Sequence, residues 1–449
     1  MILRRILIAN RGEIAVRIMR TCRRLGIETV LAASAADLDS VPARLADRTV
    51  RVGPAEPGAS YLDVEAVVAA AATAGADAIH PGYGFLAENP RLAAACEAAG
   101  IVFIGPSETQ LAAVGDKVAA REHAVAAGLP VLPGGEARHL GAARRLAEEI
   151  GWPVLVKAVG GGGGRGMKQV HDPDELAHTI ELATAEATAA FGDPRLYLER
   201  FVPSGRHVEV QLLGDGERVV HLGERDCSVQ RRYQKLVEEA PAPELDETVR
   251  TGLHAAAVAF GEHLRYRGAG TAEFLVGPDG FYFLELNARI QLEHTITEEI
   301  YGVDLIAEQI AIAEGRPLRP LAATPSGHAI ECRINAEDWT RDFRPSPGTV
   351  TEAEFPIGDG IRVDTHIQTG ARIPPYYDSL VAKLIVRGAD RADALAKLRG
   401  ALARCEIRGV ETNLGLYAEL AEDAEFVRGG IDTAWLPRFL EEFTGAVRG

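Results

Sequence analysis

Arg5-Ile6-Leu7-Ile8-Ala9, then Gly12 to Leu25, then Glu28-Thr29-Val30-Leu31-Ala32: a short apolar run, an amphipathic segment and a second apolar run follow one another at the start of the chain. Ile14, Ile18 and Cys22 recur at spacings of four, which puts them on one face of a helix. The flanking runs have the length and aliphatic content of buried strands. Strand, helix, strand is the unit of a parallel sheet, because parallel neighbours need a long crossover between them. The rhythm recurs in Ala78-Ile79-His80, a helical stretch from about Asn89 to Ala99, and Val102-Phe103-Ile104. The expected fold class is α/β, opening on a parallel sheet with helices on both faces.

Outward from there, Gly105 to about Val131 reads as a helical connector that stops at Gly128 and Pro130. A small α/β unit follows, with strand-like runs Val154 to Ala158 and Met167 to Val170 on either side of a glycine loop, and it is suited to move as a lid. The remainder alternates short strands with helices and carries Pro-rich turns at Pro345-Ser346-Pro347-Gly348 and Pro374-Pro375. At 449 residues the chain exceeds a single core. The expected division is an N-terminal domain at 1–104, a helical linker at 105–131, a lid at 132–201 and a large mixed α/β C-terminal domain at 202–449.

Composition excludes several classes. Apolar residues are 47% and charged residues 25%, the balance of a soluble globular protein. No run approaches the roughly 18 apolar residues of a membrane span. No cleavage pattern follows the apolar start, so a cytoplasmic location and no membrane partner are expected. Five cysteines lie scattered without a CxxC pair, which points to neither a disulfide framework nor a zinc site. A formal net charge of -16 opposes nucleic-acid binding, so any anionic substrate must be drawn in by local cations.

Three segments carry candidate chemistry. Gly160 to Gly164 are consecutive glycines, followed by Arg165, Gly166 and Met167, with Lys157 upstream. Glycine is costly to order, but it lets successive N–H groups turn toward an anion, so the loop reads as a phosphate-covering flap or, more plainly, a flexible linker. Gly161-x-Gly163-x-x-Gly166 and Gly82-x-Gly84-x-x-Ala87 match the dinucleotide pattern only formally. The GxxxxGK[ST] pattern is absent. Second, polar and apolar residues alternate from Glu285 to Glu293, which reads as an extended strand of at most ~30 Å with Glu285, Asn287, Arg289, Gln291 and Glu293 on one face. Glu273, in the run Thr271 to Val276, is expected beside Glu285. Two neighbouring carboxylates repel unless a cation lies between them, and with an amide oxygen they suit Mg2+ or Mn2+. The competing reading is a solvated strand face. Third, Glu224 to Lys235, ahead of Glu238-Glu239, is a charge run of the kind that usually faces solvent, and Cys227 within it has no adjacent base.

Taken together, Ile8-Ala9-Asn10-Arg11-Gly12-Glu13-Ile14-Ala15, His80-Pro81-Gly82-Tyr83-Gly84-Phe85-Leu86, the glycine loop, Arg206-His207-Val208-Glu209-Val210-Gln211 and Glu285 to Glu293 resemble the biotin carboxylase family. So do Glu331-Cys332-Arg333-Ile334-Asn335-Ala336-Glu337-Asp338 and Pro374-Pro375-Tyr376-Tyr377-Asp378-Ser379. The resemblance covers essentially the whole chain, in family order. It implies the ATP-grasp architecture, in which a lid and a C-terminal domain sandwich ATP behind an N-terminal parallel-sheet domain. Lys117 and Lys157 would hold ATP phosphates beneath Gly163, Gly164, Arg165, Gly166 and Met167. Glu199 and Val202 would meet adenine, with His207, Gln230 and Tyr233 along the nucleotide, and Glu273, Glu285 and Asn287 would bind Mg2+ or Mn2+.

The resemblance also implies that Arg289, Gln291, Lys235 and the Leu292 backbone hold bicarbonate while Glu293 takes its proton, giving carboxyphosphate, ADP, then CO2 and phosphate. Arg333 would stabilise the biotin enolate. No Ala-Met-Lys-Met motif is present, so biotin is expected on a separate biotin carboxyl carrier protein. The second partner expected is a carboxyltransferase subunit, and the expected assembly is a homodimer. Tyr233 stands where relatives usually have His or Asn, and Leu292 and Thr295 replace the usual Val and Pro. Ala33-Ser34-Ala35-Ala36-Asp37 is a loose version of the family's loop, expected far from the chemistry. The rival readings are another ATP-grasp carboxylate-amine ligase, which has no need of Arg333, and a catalytically silent scaffold protein, which would have lost a metal ligand or the base.

Overall fold

The computed structural model describes residues 1–137, 139–160, 167–322 and 324–448. Gly163, Gly164, Arg165 and Gly166, and with them the flap reading, lie outside the described residues.

β1 (Arg5–Ile8), β2 (Glu28–Ser34), β3 (Arg48–Gly53), β4 (Ala78–His80) and β5 (Val102–Phe103) form a parallel sheet in the order β3-β2-β1-β4-β5. The helix Gly12–Leu25 has its expected bounds and ends at Gly26, whose φ of 72° is the left-handed cap that glycine adopts without strain. It buries Ile14, Ile18 and Cys22 on one face of the sheet. Leu92 and Cys96 of the helix Pro90–Ala98, capped by Asn89, join Val67 and Ala71 of Val64–Ala74 in a cluster with Leu7, Val30 and Ile79. Strand order reverses at β1, so the loops after β1 and β4 part there and open a crevice, the usual ligand position in such sheets. Asn10 Nδ2 clips the two loops together by donating to Pro81 O at 2.8 Å and Tyr83 O at 2.6 Å. A Cβ on Gly82 would lie 2.9 Å from that nitrogen, which accounts for glycine there.

β6 (Gly134–Ala137), β7 (Val154–Ala158), β8 (Lys168–Val170) and β9 (Leu196–Arg200) make a small antiparallel sheet in the order β6-β9-β7-β8. The helices Leu140–Ile150 and Pro173–Phe191 back it through Ala143, Ala147, Leu176, Ile180 and Ala183. Met167 precedes β8 instead of opening it, and β6 and β9 were not anticipated.

The largest sheet is antiparallel. β10 (Arg206–Asp215), β11 (Val219–Arg231), β12 (Gln234–Ala240), β13 (Arg267–Gly277), β14 (Gly280–Asn287) and β15 (His328–Asn335) join the strands Leu380–Gly388 and Ile361–Thr365 in the order β14-β13-β10-β11-β12-β15, then Leu380–Gly388, then Ile361–Thr365. Alternation sorts the residues. Val208, Val210, Ala272, Phe274 and Leu286 cluster with Leu253, Ala257 and Phe260 of the helix Glu247–His263. Val237, Cys332, Ile334, Leu384 and Val386 cluster with Leu395 and Leu398 of Arg391–Leu402. The intervening residues turn the other way and include Glu209, Glu238, Glu273, Glu285, Glu331 and Arg333.

The nine-residue strand expected from Glu285 to Glu293 is corrected. β14 ends at Asn287, its last residue paired with β13, and the chain then turns into the helix His294–Tyr301, with Glu293 at the N-cap. Ala288 and Ile290 are still buried at 1% and 0% exposure, so the alternation reported burial without a hydrogen-bonded ladder beneath it.

Candidate active site

One cleft of about 1060 Å³ runs between the loops of the parallel sheet, the small sheet and the polar side of the large one. Lys117, Lys157, Met167, Glu199, Val202, His207, Gln230 and Tyr233 line it, as do Glu273, Glu285 and Asn287, and Lys235, Arg289, Gln291, Leu292, Glu293 and Arg333. Every nominated residue among those described therefore faces the same space.

Its centre is an ammonium among carboxylates. Lys235 Nζ donates to Glu209 Oε2 at 2.5 Å, Glu273 Oε1 at 2.8 Å and Glu293 Oε1 at 2.8 Å. The β11–β12 hairpin delivers it: Arg232 and Tyr233 turn the chain with φ of 48° and 66°, and Gln230 pairs with Lys235. Burial opposes the charge on Lys235, but Glu209, Glu273 and Glu293 outweigh it and raise its pKa well above the ordinary lysine value. Burial likewise opposes ionisation of Glu293, yet Lys235, Arg333 and Arg225 hold its carboxyl well below the ordinary range. Against burial, Lys235 and His207 do the same for Glu273. His207 Nε2 lies 3.0 Å from Glu273 Oε2, and Gln230 Nε2 lies 2.6 Å from His207 Nδ1.

Further residues hold this arrangement, and sequence reasoning had not assigned them roles. Arg225 lies in the charge run expected at the surface, yet its side chain is 0% exposed. It donates to Glu209 Oε1 at 2.6 Å, Gln211 Oε1 at 2.8 Å, Thr297 Oγ1 at 3.0 Å and Gln291 Oε1 at 2.8 Å. Gln291 Nε2 then reaches Glu273 Oε1 at 2.8 Å, so Arg225 fixes which end of that amide points at the carboxylate. Glu88 accepts from Ala288 N at 3.0 Å and Arg289 Nε at 2.9 Å, holding the segment that follows β14. Lys383 donates to Leu292 O at 2.7 Å and lies 3.4 Å from Glu13 Oε2. Glu13 belongs to the Ile8–Ala15 stretch, and only the fold brings it to Lys383. Arg333 joins Glu238 Oε1 through Nε at 2.5 Å and Glu293 Oε2 through Nη2 at 3.1 Å.

None of Ala33–Asp37 is among the residues lining the cleft, but the segment backs its wall: Asp37 accepts from Arg11 at 2.8 and 3.1 Å. The adjacent Ser34 Oγ lies 2.5 Å from Tyr377 Oη, which also faces the cleft. Cys227 is fully buried, and burial raises its thiol well above the ordinary value, as befits a core residue and not a nucleophile.

At the nucleotide end, Lys157 pairs with Glu199, and Lys117 Nζ lies 3.7 Å from Glu285 Oε2 at the start of the helix Lys117–Ala126. Glu273 and Glu285 are register partners, and Asn287 is paired with Thr271 two positions along the same strands. Two carboxylates and an amide oxygen at adjoining strand positions are hard donors that fit Mg2+ or Mn2+. Among the described residues, two other groups bring possible ligand atoms within 4.8 Å, His207-Glu209-Glu273 and Glu209-Cys227-Glu293. Both contain Glu209, already neutralised by Arg225 and Lys235, so charge pairing accounts for their convergence.

Comparison with known proteins agrees with this geometry. The profile of the biotin carboxylase N-terminal domain matches residues 2–111, that of the carbamoyl-phosphate synthase L chain ATP-binding domain residues 116–321, and that of the biotin carboxylase C-terminal domain residues 331–438. The protein named biotin carboxylase in Pseudomonas aeruginosa is 48% identical over 444 residues, covering 98% of this chain and 99% of that one. The chain belongs to the biotin carboxylase family. A pyruvate carboxylase subunit of Methanothermobacter thermautotrophicus, 46% identical over 444 residues, covers 98% of this chain and is itself covered to 90%. The biotin carboxylase domain dimer of Hydrogenobacter thermophilus 2-oxoglutarate carboxylase, solved with MgADP, ADP and bicarbonate, superposes with a TM-score of 0.95 at 43% identity and covers 99% of each chain. The architecture is that of the ATP-grasp biotin carboxylases, and its relatives include subunits and domains of larger carboxylases.

Proposed function

We propose that this protein carboxylates biotin on a separate carrier protein, using ATP and bicarbonate and releasing ADP and phosphate. The observation that carries this is the meeting of Lys235, Gln291, Glu293 and Arg333 in one nucleotide-sized cleft that Lys117 and Lys157 also line. Bicarbonate is a weak nucleophile, so it must be clamped in line with the terminal phosphate and stripped of its proton. Arg289, Gln291, Lys235 and the Leu292 backbone form the clamp, and Glu293 is the base. Held far below its ordinary pKa by Lys235 and Arg333, Glu293 is a feeble base until an anion competes for those cations. Bicarbonate binding thus raises the basicity that its own activation requires.

A bicarbonate oxygen attacks the γ-phosphorus, the bond to ADP breaks and Glu293 keeps the proton. Carboxyphosphate then splits to CO2 and phosphate, phosphate accepts the biotin ureido proton, and the nitrogen bonds to CO2. Arg333 steadies the negative charge on the biotin ring. Mg2+ or Mn2+, when held by Glu273, Glu285 and Asn287, offsets the phosphate charge that shifts during transfer. Met167, Glu199, Val202, His207, Gln230 and Tyr233 line the nucleotide pocket. The unit at 132–201 serves as its lid, 1–104 and 202–449 as its walls and 105–131 as the linker. A carboxyltransferase as second partner, a homodimeric assembly and a cytoplasmic location complete the proposal; no described helix is long and apolar enough to cross a membrane. Neither rival reading is favoured, since the groups that a silent scaffold would lose are present and Arg333 is tied into the site.

The test is transfer of labelled bicarbonate to free biotin with MgATP. Acid-labile carboxybiotin that disappears in Arg333→Ala is expected. ATP-dependent capture of bicarbonate without any transfer to biotin would overturn the proposal.

A further inference from the structure

Glu238 and Glu331 are register partners across β12 and β15, and both are 0% exposed. Opposed side chains in such a pair start about 4.5–5.5 Å apart at their Cβ atoms. One oxygen of each is engaged: Glu238 Oε1 by Arg333 Nε at 2.5 Å, and Glu331 Oε2 by Thr295 Oγ1. The others, Glu238 Oε2 and Glu331 Oε1, are buried without a hydrogen-bond partner among the described residues. Two ionised carboxylates in this arrangement would repel at close range in a dry environment, each with a lone pair unsatisfied. One proton between the free oxygens satisfies both and leaves a single negative charge.

We propose that Glu238 and Glu331 share one proton and together act as a positioning pair behind Arg333, fixing how much negative charge that guanidinium feels on the side away from the cleft. The proposal rests on Arg333 facing biotin. The groups around the pair cannot neutralise a second charge. Arg333 is divided between Glu238 and Glu293; Lys235 already serves Glu209, Glu273 and Glu293; Lys383 faces Glu13 and is the register partner of Asp364. The Cys332 thiol and Tyr417 hydroxyl are also near, and burial first, with Glu238 adding to it, disfavours the ionisation of both. Burial first, and then each carboxylate's neighbouring acids, push both carboxyls above the ordinary range, with Arg333 pulling both down and Lys383 pulling Glu331 down only in part. The pair titrates as a unit. When it loses its proton as pH rises, a second charge appears behind Arg333 and draws the guanidinium back from Glu293 and from the cleft.

Thr295 belongs to the same device. It stands where relatives usually carry Pro, and its hydroxyl donates to Glu331 Oε2, which leaves Oε1 as the oxygen free to share the proton.

The proton is read directly by infrared pH titration of the resting protein. The expected result is a protonated-carboxyl stretch that persists above the ordinary carboxyl range and is lost in both Glu331→Gln and Glu238→Gln. Glu13, also pushed up by burial, gives a stretch that survives both changes. Absence of any band removed by both substitutions overturns the shared proton, and a water-bridged pair of ionised carboxylates would give that result. If one variant fails to fold, the other still decides: a stretch present in the wild type and lost in the folded variant belongs to the pair, because neither substitution touches Glu13. The positioning role is read from the pH profile of biotin carboxylation: Glu331→Gln, which cannot ionise, loses the alkaline limb of the wild-type profile. An unchanged limb overturns that role, and because the infrared result needs no biotin chemistry, failure of the wider functional reading is told apart from failure of the shared proton.

Discussion

Lys235 shows why single residues in this site cannot be valued alone. It neutralises part of the charge of three carboxylates, and its removal leaves them facing one another in a buried space. With Lys235 present, Glu273 and Glu293 have depressed folded-state pKa values, so they contribute stability that is present above the ordinary carboxyl range and lost as pH falls through the folded values. In Lys235→Met burial is no longer opposed by the ammonium and their pKa values rise, so stability is lost as pH rises through the new folded values. Urea midpoints measured from about pH 5 to 8 are expected to fall more steeply with pH in the variant than in the wild type, whose own decline comes from Glu13, Glu238 and Glu331, pushed up mainly by burial. At this scale the chain was readable where residue type and family pattern agreed: the nominated residues that the structure describes share one cleft. Arg225 and Lys383 were not readable as site residues, because a charged side chain on a strand looks the same in sequence whether its face is solvated or buried, and Glu88 was not because it lies in a turn that only the fold brings against Arg289. Register and burial decide it, and both depend on strands far away in the chain.

The β11–β12 hairpin links two parts of the cleft. Tyr233 sits on its tip in a left-handed conformation, and Gln169 Nε2 of β8 donates to its hydroxyl at 3.2 Å. The hairpin that delivers Lys235 thus touches the sheet proposed as the lid. A neutral hydrogen bond is worth ~0.5–1.5 kcal/mol, so Tyr233→Phe is expected to raise the KM for ATP by about two- to tenfold with little change in kcat. An unchanged KM would mean that this contact does not help hold the lid over nucleotide. Among elements, the helix Gly12–Leu25 was readable to the residue because its apolar spacing, its capping glycine and its flanking strands agree. β6 was not, since Gly134-Gly135-Glu136-Ala137 has no strand-forming side chain and pairs only because β9 lies beside it. The strand expected through Glu293 failed for a different reason: the polar–apolar alternation of the sequence continues after β14 has left the ladder, where Asn287, Gln291 and Glu293 are buried along with Ala288 and Ile290, and periodicity alone does not reveal this.

Across the whole molecule, the net charge of -16 and the cationic cleft are reconciled by local pairing. Lys117, Lys157, Lys235, Arg11, Arg289 and Arg333 line the cleft, and each lies against a carboxylate. Anionic substrates must therefore exchange with internal carboxylates, which makes binding of one anion change the charge state offered to the next. Family order along the chain made the architecture readable, yet the antiparallel order of the large sheet was not, because its neighbours are set by pairings between distant segments. The central claim is that bicarbonate and biotin are activated in one ATP-driven site with Glu293 as base. It is tested most directly by ADP release with Mg2+ and bicarbonate, with and without free biotin, in wild type and Glu293→Ala. Bicarbonate-dependent release that biotin stimulates and that collapses in Glu293→Ala is the expected result; tight nucleotide binding with no response to biotin would contradict it.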